Sequence, residues 1–236
     1  MQKKKIGIIG AMDIEVKMLK ELCSDVKVTQ KGRCSFVEGL LDNVSVVIVQ
    51  SGVGKVNAAL CAQRLIIDFG VTNVINTGIA GAMGHGLKIQ DIVVSTDAVY
   101  HDFDVTAFGY PKCKVPGQDT VEFRADKSMI DAACKAFSSL KEAEGHSVRT
   151  GRIASGDQFI SSKEQKDVIR TDCNPECVEM EGCAIAHACS VNGVPFVIIR
   201  CMSDMADDVS DNLYKFNEEE AAVLSAKIVR AMINIM

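Results

Sequence analysis

The chain predicts an α/β protein of a single domain, and three observations carry that expectation. Short apolar, β-branched runs at Lys5–Gly10, Val71–Asn76 and Val194–Ile199 read as strands covered on both faces. Helical stripes lie between such runs, as at Ile14, Val16, Met18, Leu19 and Leu22. The strand ends run into glycine-rich or charged segments, where open α/β sheets place their ligands. No linker, low-complexity tract or internal repeat divides the 236 residues.

Composition narrows the function classes. At 47% apolar and 24% charged the chain is ordinary for a globular protein, and long enough to bury a sizeable core. A net charge of -5 argues against non-specific nucleic-acid binding, and Lys3-Lys4-Lys5 is too short to be a basic face. The apolar run Ile6–Met12 mimics a signal peptide but ends at Asp13 and Glu15. No stretch of about 18 apolar residues could span a membrane. A cytoplasmic protein with reduced thiols is expected. Ten cysteines are scattered along the chain, without C-x-x-C spacing or a His cluster. They read as small buried hydrophobes, and no metal or cofactor is expected.

The elements follow in order. After the first strand, Ala11-Met12-Asp13 is a turn with a helix cap. Glu15 falls in the first helical turn. It is either a charge favoured by the helix dipole or a carboxylate facing the crevice beyond the strand. Val26–Gln30, Cys34–Leu40 and Val44–Gln50 form an antiparallel meander joined by tight turns. Ser51-Gly-Val-Gly-Lys55 opens a helix through Ile66 and is too short for a nucleotide-triphosphate loop. Thr77-Gly-Ile-Ala-Gly-Ala-Met-Gly84 is expected as a glycine loop after a strand, without the dinucleotide fingerprint.

Asp91–Ser95 is another strand. The Tyr100–Tyr110 segment carries aromatics in a polar loop, either a pocket wall or an interface. Helices are expected at Ala125–Leu140 and Ser162–Arg170, with a strand at Val148–Ala154 between them. Phe159 follows that strand, placed to stack on something flat. Val178–Cys189 runs from a strand end into a helix of small residues, with Glu179 and Glu181 in apolar company. Buried carboxylates need partners. His187 reads as a satisfied core histidine. Arg200, Ser203 and Asp204 interrupt and end the Val194 strand, either at a site or in a solvated acidic loop. A last helix covers Asn217–Ile235.

Glu15, Glu181 and Asp204 thus converge on the carboxyl side of one sheet, joined by Arg200. Paired carboxylates around a crevice suit glycosidic-bond hydrolysis, one as acid on the leaving group and one as base on water. Phe159 suits a flat leaving group such as a purine.

The chain resembles the 5'-methylthioadenosine/S-adenosylhomocysteine nucleosidases of the nucleoside phosphorylase-like superfamily. The resemblance rests on Ile8-Ile-Gly-Ala-Met-x-x-Glu15, Ser51-Gly-Val-Gly-Lys-Val56, Asn76-Thr-Gly78, Asp91-Ile-Val-Val-Ser95, Tyr100-His-Asp-x-Asp-Val-Thr-Ala-Phe-Gly-Tyr110, Ser155-Gly-Asp-x-Phe-Ile160, Val178-Glu-Met-Glu181 and Arg200-x-x-Ser-Asp204, which stand in family order over nearly the whole chain. It implies a three-layer sandwich with a central mixed β-sheet flanked by helices. It also implies a homodimer and hydrolysis of the N9–C1' bond of adenine thionucleosides in methionine salvage.

Carried over by residue, Asp204 is the general acid at adenine N7, held by Ser203, and Glu15 activates water with help from Arg200. Glu181, Glu179 and the Met180 backbone lie at the ribose. Phe159 stacks on the purine, whose edge the Ile160 backbone reads. Ile79 and Gly81 belong to the glycine segment over the substrate. Met12, Val53, Val105, Phe108, Tyr110, Pro116 and Phe216 line the pocket for the 5' substituent, with the Val105–Pro116 loop completing the partner's pocket.

Two departures stand out. Ile79 replaces a serine common in the family, and the segment from Asp208 to Lys215 differs. Two other readings stay open. A phosphorylase would carry arginines in the first loop and before the glycine segment, where this chain has Asp13, Glu15 and Asn76-Thr77. A silent nucleoside-binding protein would not need all three carboxylates. The residues do not separate methylthioadenosine, adenosylhomocysteine, 5'-deoxyadenosine and aminodeoxyfutalosine as substrates.

Overall fold

The computed structural model describes residues 4–207 and 211–236, without the side chains of 211–216. The order of elements is β1 (Ile6–Gly10), α1 (Asp13–Glu21), β2 (Ser24–Lys31), β3 (Cys34–Leu41), β4 (Val44–Gln50), α2 (Lys55–Phe69), β5 (Asn73–Ala82) and β6 (Ile92–Tyr100). Then come β7 (Phe123–Arg124), α3 (Lys127–Ser139), β8 (Val148–Ser155), α4 (Lys163–Cys173), β9 (Cys177–Glu179), α5 (Gly182–Val191), β10 (Phe196–Asp204) and α6 (Asp211–Ile233).

All ten strands share one mixed sheet. The meander β2–β3–β4 is antiparallel, as its tight turns predict, and joins the rest through the parallel pair β4–β1. β1 continues to β5 in parallel. Beyond β5 the sheet closes on itself. β5 pairs both β9 and β10, β10 pairs β6, β6 pairs β8, and β8 returns to β9. Because β9 runs antiparallel to β5, its end at Glu179 lies beside the 79–81 stretch of β5, next to which β10 ends at Asp204.

Side-chain alternation builds two apolar layers. Ile6, Ile8, Val46 and Ile48 face the layer holding α1, α3 and α6. Ile9, Val47 and Val49 face the opposite layer, holding α2 and α5. Residues of opposite parity on one strand point to opposite faces, so a strand covered on both sides is apolar throughout. This is the three-layer sandwich the family resemblance implies. The small residues Gly182, Ala184 and Ala186 let α5 lie close to the sheet, and all three are buried.

Two local expectations change. The segment Thr77–Ala82 is not a loop, because β5 runs straight through it. Its glycines serve a close approach of side chains, described below, rather than mobility. The cap of α1 sits at Met12, and Asp13 is already helical. His187 is satisfied in the core: its Nδ1 lies 3.3 Å from Tyr100 Oη and its ring stacks on Phe123 at 4.4 Å.

Candidate active site

Glu15 is in the first turn of α1, yet its carboxylate turns inward and is buried. Oε2 accepts from the Ala11 amide at 2.6 Å and the Met12 amide at 2.9 Å. Oε1 accepts from the Ile79 amide at 3.1 Å. Glu15 therefore caps the start of α1 through the Met12 amide and lines the cavity at the same time. A Cβ on Gly78 would overlap Glu15 Oε1 and stand 2.9 Å from Cδ, so the glycine is what lets β5 pass the carboxylate. Burial pushes the Glu15 pKa up, opposed by the charge of Arg200 and by the three amides.

Asp204 ends β10. Met202 pairs with Ala80 and Asp204 with Gly81, leaving Ser203 as an extra residue in the strand. Such a bulge re-aims the strand end. Asp204 Oδ2 accepts from Ser203 Oγ at 2.9 Å, and Oδ1 accepts from the Ala206 amide at 2.8 Å. Ser203 and the Ala206 amide thus grip the two oxygens of Asp204. Burial raises the Asp204 pKa above the ordinary carboxylate value, against the lowering effect of those two hydrogen bonds.

The remaining carboxylates divide their work. Glu179 is fully engaged. Its Oε2 accepts from the Glu181 amide at 3.0 Å, the Gly182 amide at 2.7 Å and Arg200 Nη2, and its Oε1 accepts from Ser155 Oγ. Glu181 Oε1 accepts from the Gly54 amide at 2.8 Å. Burial, then the charge of Glu179, pushes the Glu181 pKa up to about 8.

Arg200 lies behind this group. Nη2 bonds Asn76 Oδ1 at 2.6 Å as well as Glu179, Nη1 donates to the Ile199 carbonyl at 3.2 Å, and the side chain is 2% exposed. It is the cation that compensates three buried carboxylates, with its charge felt at Glu15, Glu179 and Glu181.

One cavity of about 230 Å³ is lined by Met12, Glu15, Val53, Ile79, Gly81, Phe159, Glu179, Met180, Glu181, Ser203 and Asp204. Ala11, Ala80 and Val178 complete it. These three carry no polar signal, and only the tertiary packing places them. Ile160 borders a small extension of the same cavity, beside Gln158. Phe159 is half exposed at the mouth.

The structure therefore brings together the residues expected from six separate segments. It does not bring in Val105, Phe108, Tyr110 or Pro116, which lie in the loop between β6 and β7, away from this chain's cavity. Phe108 is 81% exposed and Tyr110 42%. The expected place of Phe216 falls outside the described side chains. Among the described residues no cluster of His, Cys, Asp and Glu could hold a metal ion, and no helix is long and apolar enough to cross a membrane.

An apolar cavity ringed by four buried carboxylates, three of them (Glu15, Glu181 and Asp204) with raised pKa values, is suited to acid–base chemistry on a small molecule. The family profile of the phosphorylase superfamily matches residues 5–234. The chain belongs to that superfamily. A 5'-methylthioadenosine/S-adenosylhomocysteine nucleosidase of Colwellia psychrerythraea is 43% identical over 97% of this chain and 95% of its own length. The enzyme of the same name from Geobacillus kaustophilus is 41% identical over 98% and 97%. The crystal structure of the Neisseria meningitidis nucleosidase with methylthio-immucillin-A superposes with a TM-score of 0.94 at 41% identity, covering 99% of this chain and all of that one. A futalosine hydrolase of Helicobacter pylori superposes at 0.92 with 32% identity, covering 99% of each chain.

Proposed function

We propose that this chain hydrolyses the N-glycosidic bond of 5'-methylthioadenosine and S-adenosylhomocysteine, releasing adenine and the thioribose, as a step of methionine salvage in the cytoplasm. The observation that carries the reading is the pairing of Glu15 and Asp204 on the wall of one apolar cavity, each buried and each held by donors from a different strand end. The names of the similar nucleosidases support it.

Adenine leaves badly as an anion, so the leaving group needs a proton at N7. A free aspartic acid, with a pKa of about 3.9, would not hold that proton at neutral pH. Burial moves Asp204 in the required direction, and general acid catalysis of this kind contributes about 10²–10⁴-fold. Ser203 orients the carboxyl. Glu15, fixed by three amides, takes a proton from the attacking water, and Arg200 tunes it through charge. Glu181 and the Met180 backbone bind the ribose hydroxyls. With its pKa pushed up to about 8 by burial and by Glu179, Glu181 can donate as well as accept. Glu179 holds Glu181 and Arg200 in place. Phe159 stacks on the purine and the Ile160 backbone reads its edge, while Met12, Val53 and Ile79 meet the 5' side.

The open side of the cavity and the exposed Phe108 and Tyr110 fit a homodimer in which the Val105–Pro116 loop closes the partner's pocket. The same site chemistry extends to 5'-deoxyadenosine. Futalosine hydrolases among the structural neighbours make aminodeoxyfutalosine a further substrate to assay.

The test is adenine release from 5'-methylthioadenosine with and without inorganic phosphate. Phosphate-independent release with a free reducing sugar supports the nucleosidase. Release that requires phosphate makes the chain a phosphorylase and removes Glu15 as a water-activating base. Binding without release makes it a nucleoside-binding protein.

A further inference from the structure

The loop between β6 and β7 is long, and within the single chain its residues are exposed or half-buried with one exception. Between His101 and Phe123 a single residue is buried, and it is Cys113. Its Sγ lies 2.7 Å from Sγ of Cys173, the last residue of α4, and both are free thiols at 2% and 3% exposure. A disulfide bond is about 2.0 Å long, so a shift of well under 1 Å separates this contact from a bond.

Three further features hold the pair in register. Cys113 has φ +65°, a left-handed conformation that non-glycine residues seldom adopt. The flanking Lys112 pairs with Asp104 at 2.8 Å on the loop and with Asp172 at 3.7 Å on α4, beside Cys173. Lys114 Nζ donates to the Thr120 carbonyl at 2.9 Å, closing the turn behind the cysteine. The contact with Cys173 holds the Cys113 pKa below the ordinary thiol value, with Lys112 and Arg152 acting in the same sense.

We infer that Cys113 and Cys173 form a disulfide modification site that locks the 102–122 loop to the end of α4 under oxidising conditions. Opening of the 102–122 loop exposes Cys113 to a small disulfide such as oxidised glutathione, and its thiolate attacks one sulfur and expels one thiolate. The Cys173 thiolate then attacks the Cys113 sulfur of the mixed disulfide and expels the second. Two protein thiols are oxidised, one small disulfide is reduced, and the two thiol protons go to the two leaving thiolates.

The lock is placed to matter. Cys113 and Cys173 pack in one apolar cluster with Ile160, Val178 and Ala206. Val178 lines the cavity, Ile160 borders its extension, and the Ala206 amide holds Asp204. The bond would close a ring across a separation of 60 residues, which restricts the unfolded chain strongly.

The test equilibrates the native, full-length protein in mixtures of reduced and oxidised glutathione, traps free thiols by alkylation, and maps peptides without reduction. A Cys113–Cys173 cross-linked peptide is expected, with the chain lighter by two hydrogens, slower proteolytic cleavage within 102–122, and a Tm higher by about 5–10 °C, all reversed by excess reduced glutathione. Cys173→Ser is expected to abolish the cross-link and the Tm gain, leaving Cys113 open to glutathionylation. Two separately alkylated or separately glutathionylated thiols in the oxidised wild-type protein would overturn the inference. So would pairing of either cysteine with a different partner.

Discussion

A Cβ on Gly81 would stand 2.8 Å from Asp204 Oδ1 and 2.9 Å from the Ala206 Cβ. The glycine in β5 and the carboxylate at the end of β10 are therefore one unit, and the bulge at Ser203 brings them face to face. Gly81→Ala should push Asp204 off its Ala206 and Ser203 donors. Activity should fall by about 10²-fold or more with circular dichroism unchanged, since loss of a positioned acid costs about 10²–10⁴-fold. An alanine variant with more than a third of parental kcat would show that Asp204 tolerates displacement.

Asp204→Asn removes the transferable proton and keeps the size and the acceptor oxygen. Adenine release should drop by about 10²–10⁴-fold, while a nucleoside analogue still binds. A variant retaining a tenth of the parental rate would take the acid role away from Asp204. The pH profile gives a second check. The acid must be protonated, and burial raises its pKa, so kcat falls on the alkaline side as pH passes that raised value. The alkaline limb should be absent from the residual activity of Asp204→Asn.

Glu15→Gln tests the base. All three partners of Glu15 are backbone donors, so an amide NH₂ must face at least one N–H. The variant should bind a nucleoside analogue, hydrolyse substrate at least about 10²-fold more slowly, and lose about 1–3 kcal/mol of stability through the unpaired donor. Urea unfolding and equilibrium binding measure the two losses separately. Loss of binding with the fold intact would make Glu15 a ligand contact.

Glu181 should report on itself through stability. Its pKa rises from 4.5 to about 8 on folding. A raised carboxylate pKa means that the folded state keeps the proton longer than the unfolded chain. The favourable contribution is complete below the unfolded pKa and is lost as pH climbs through the folded one. Glu181→Gln removes that loss, and the glutamine oxygen can still accept from the Gly54 amide. Relative to the parent, the variant should gain stability steadily between about pH 4.5 and 8, by a few kcal/mol at most, and then level off. A pH-independent difference in urea unfolding would refute a raised Glu181 pKa.

Phe108→Asp tests the proposed assembly. A charge on an apolar contact residue destabilises an interface, so sedimentation should show the dimer shifted toward monomer, with KM for 5'-methylthioadenosine raised. An unchanged mass at micromolar concentration would remove the loop from the interface.

By itself the sequence determined what local pattern can carry. Period-2 and period-3.6 stripes located most strands and helices, and the turns at Lys31-Gly32 and Asp42-Asn43 specified the meander. Charges after apolar runs marked Glu15, Glu181, Arg200 and Asp204 as a group. The tertiary structure decided what each of them touches. It ran β5 through a glycine segment that reads as a loop, because the glycines make room for carboxylates from β10 and α1. It placed Arg200 behind the cavity against Asn76 and Glu179. It set the Gly54 amide on Glu181, 127 residues away. A stripe of side chains records only which face of an element is buried, whereas a buried charge takes its partner, and hence its proton affinity, from whatever the fold packs against it.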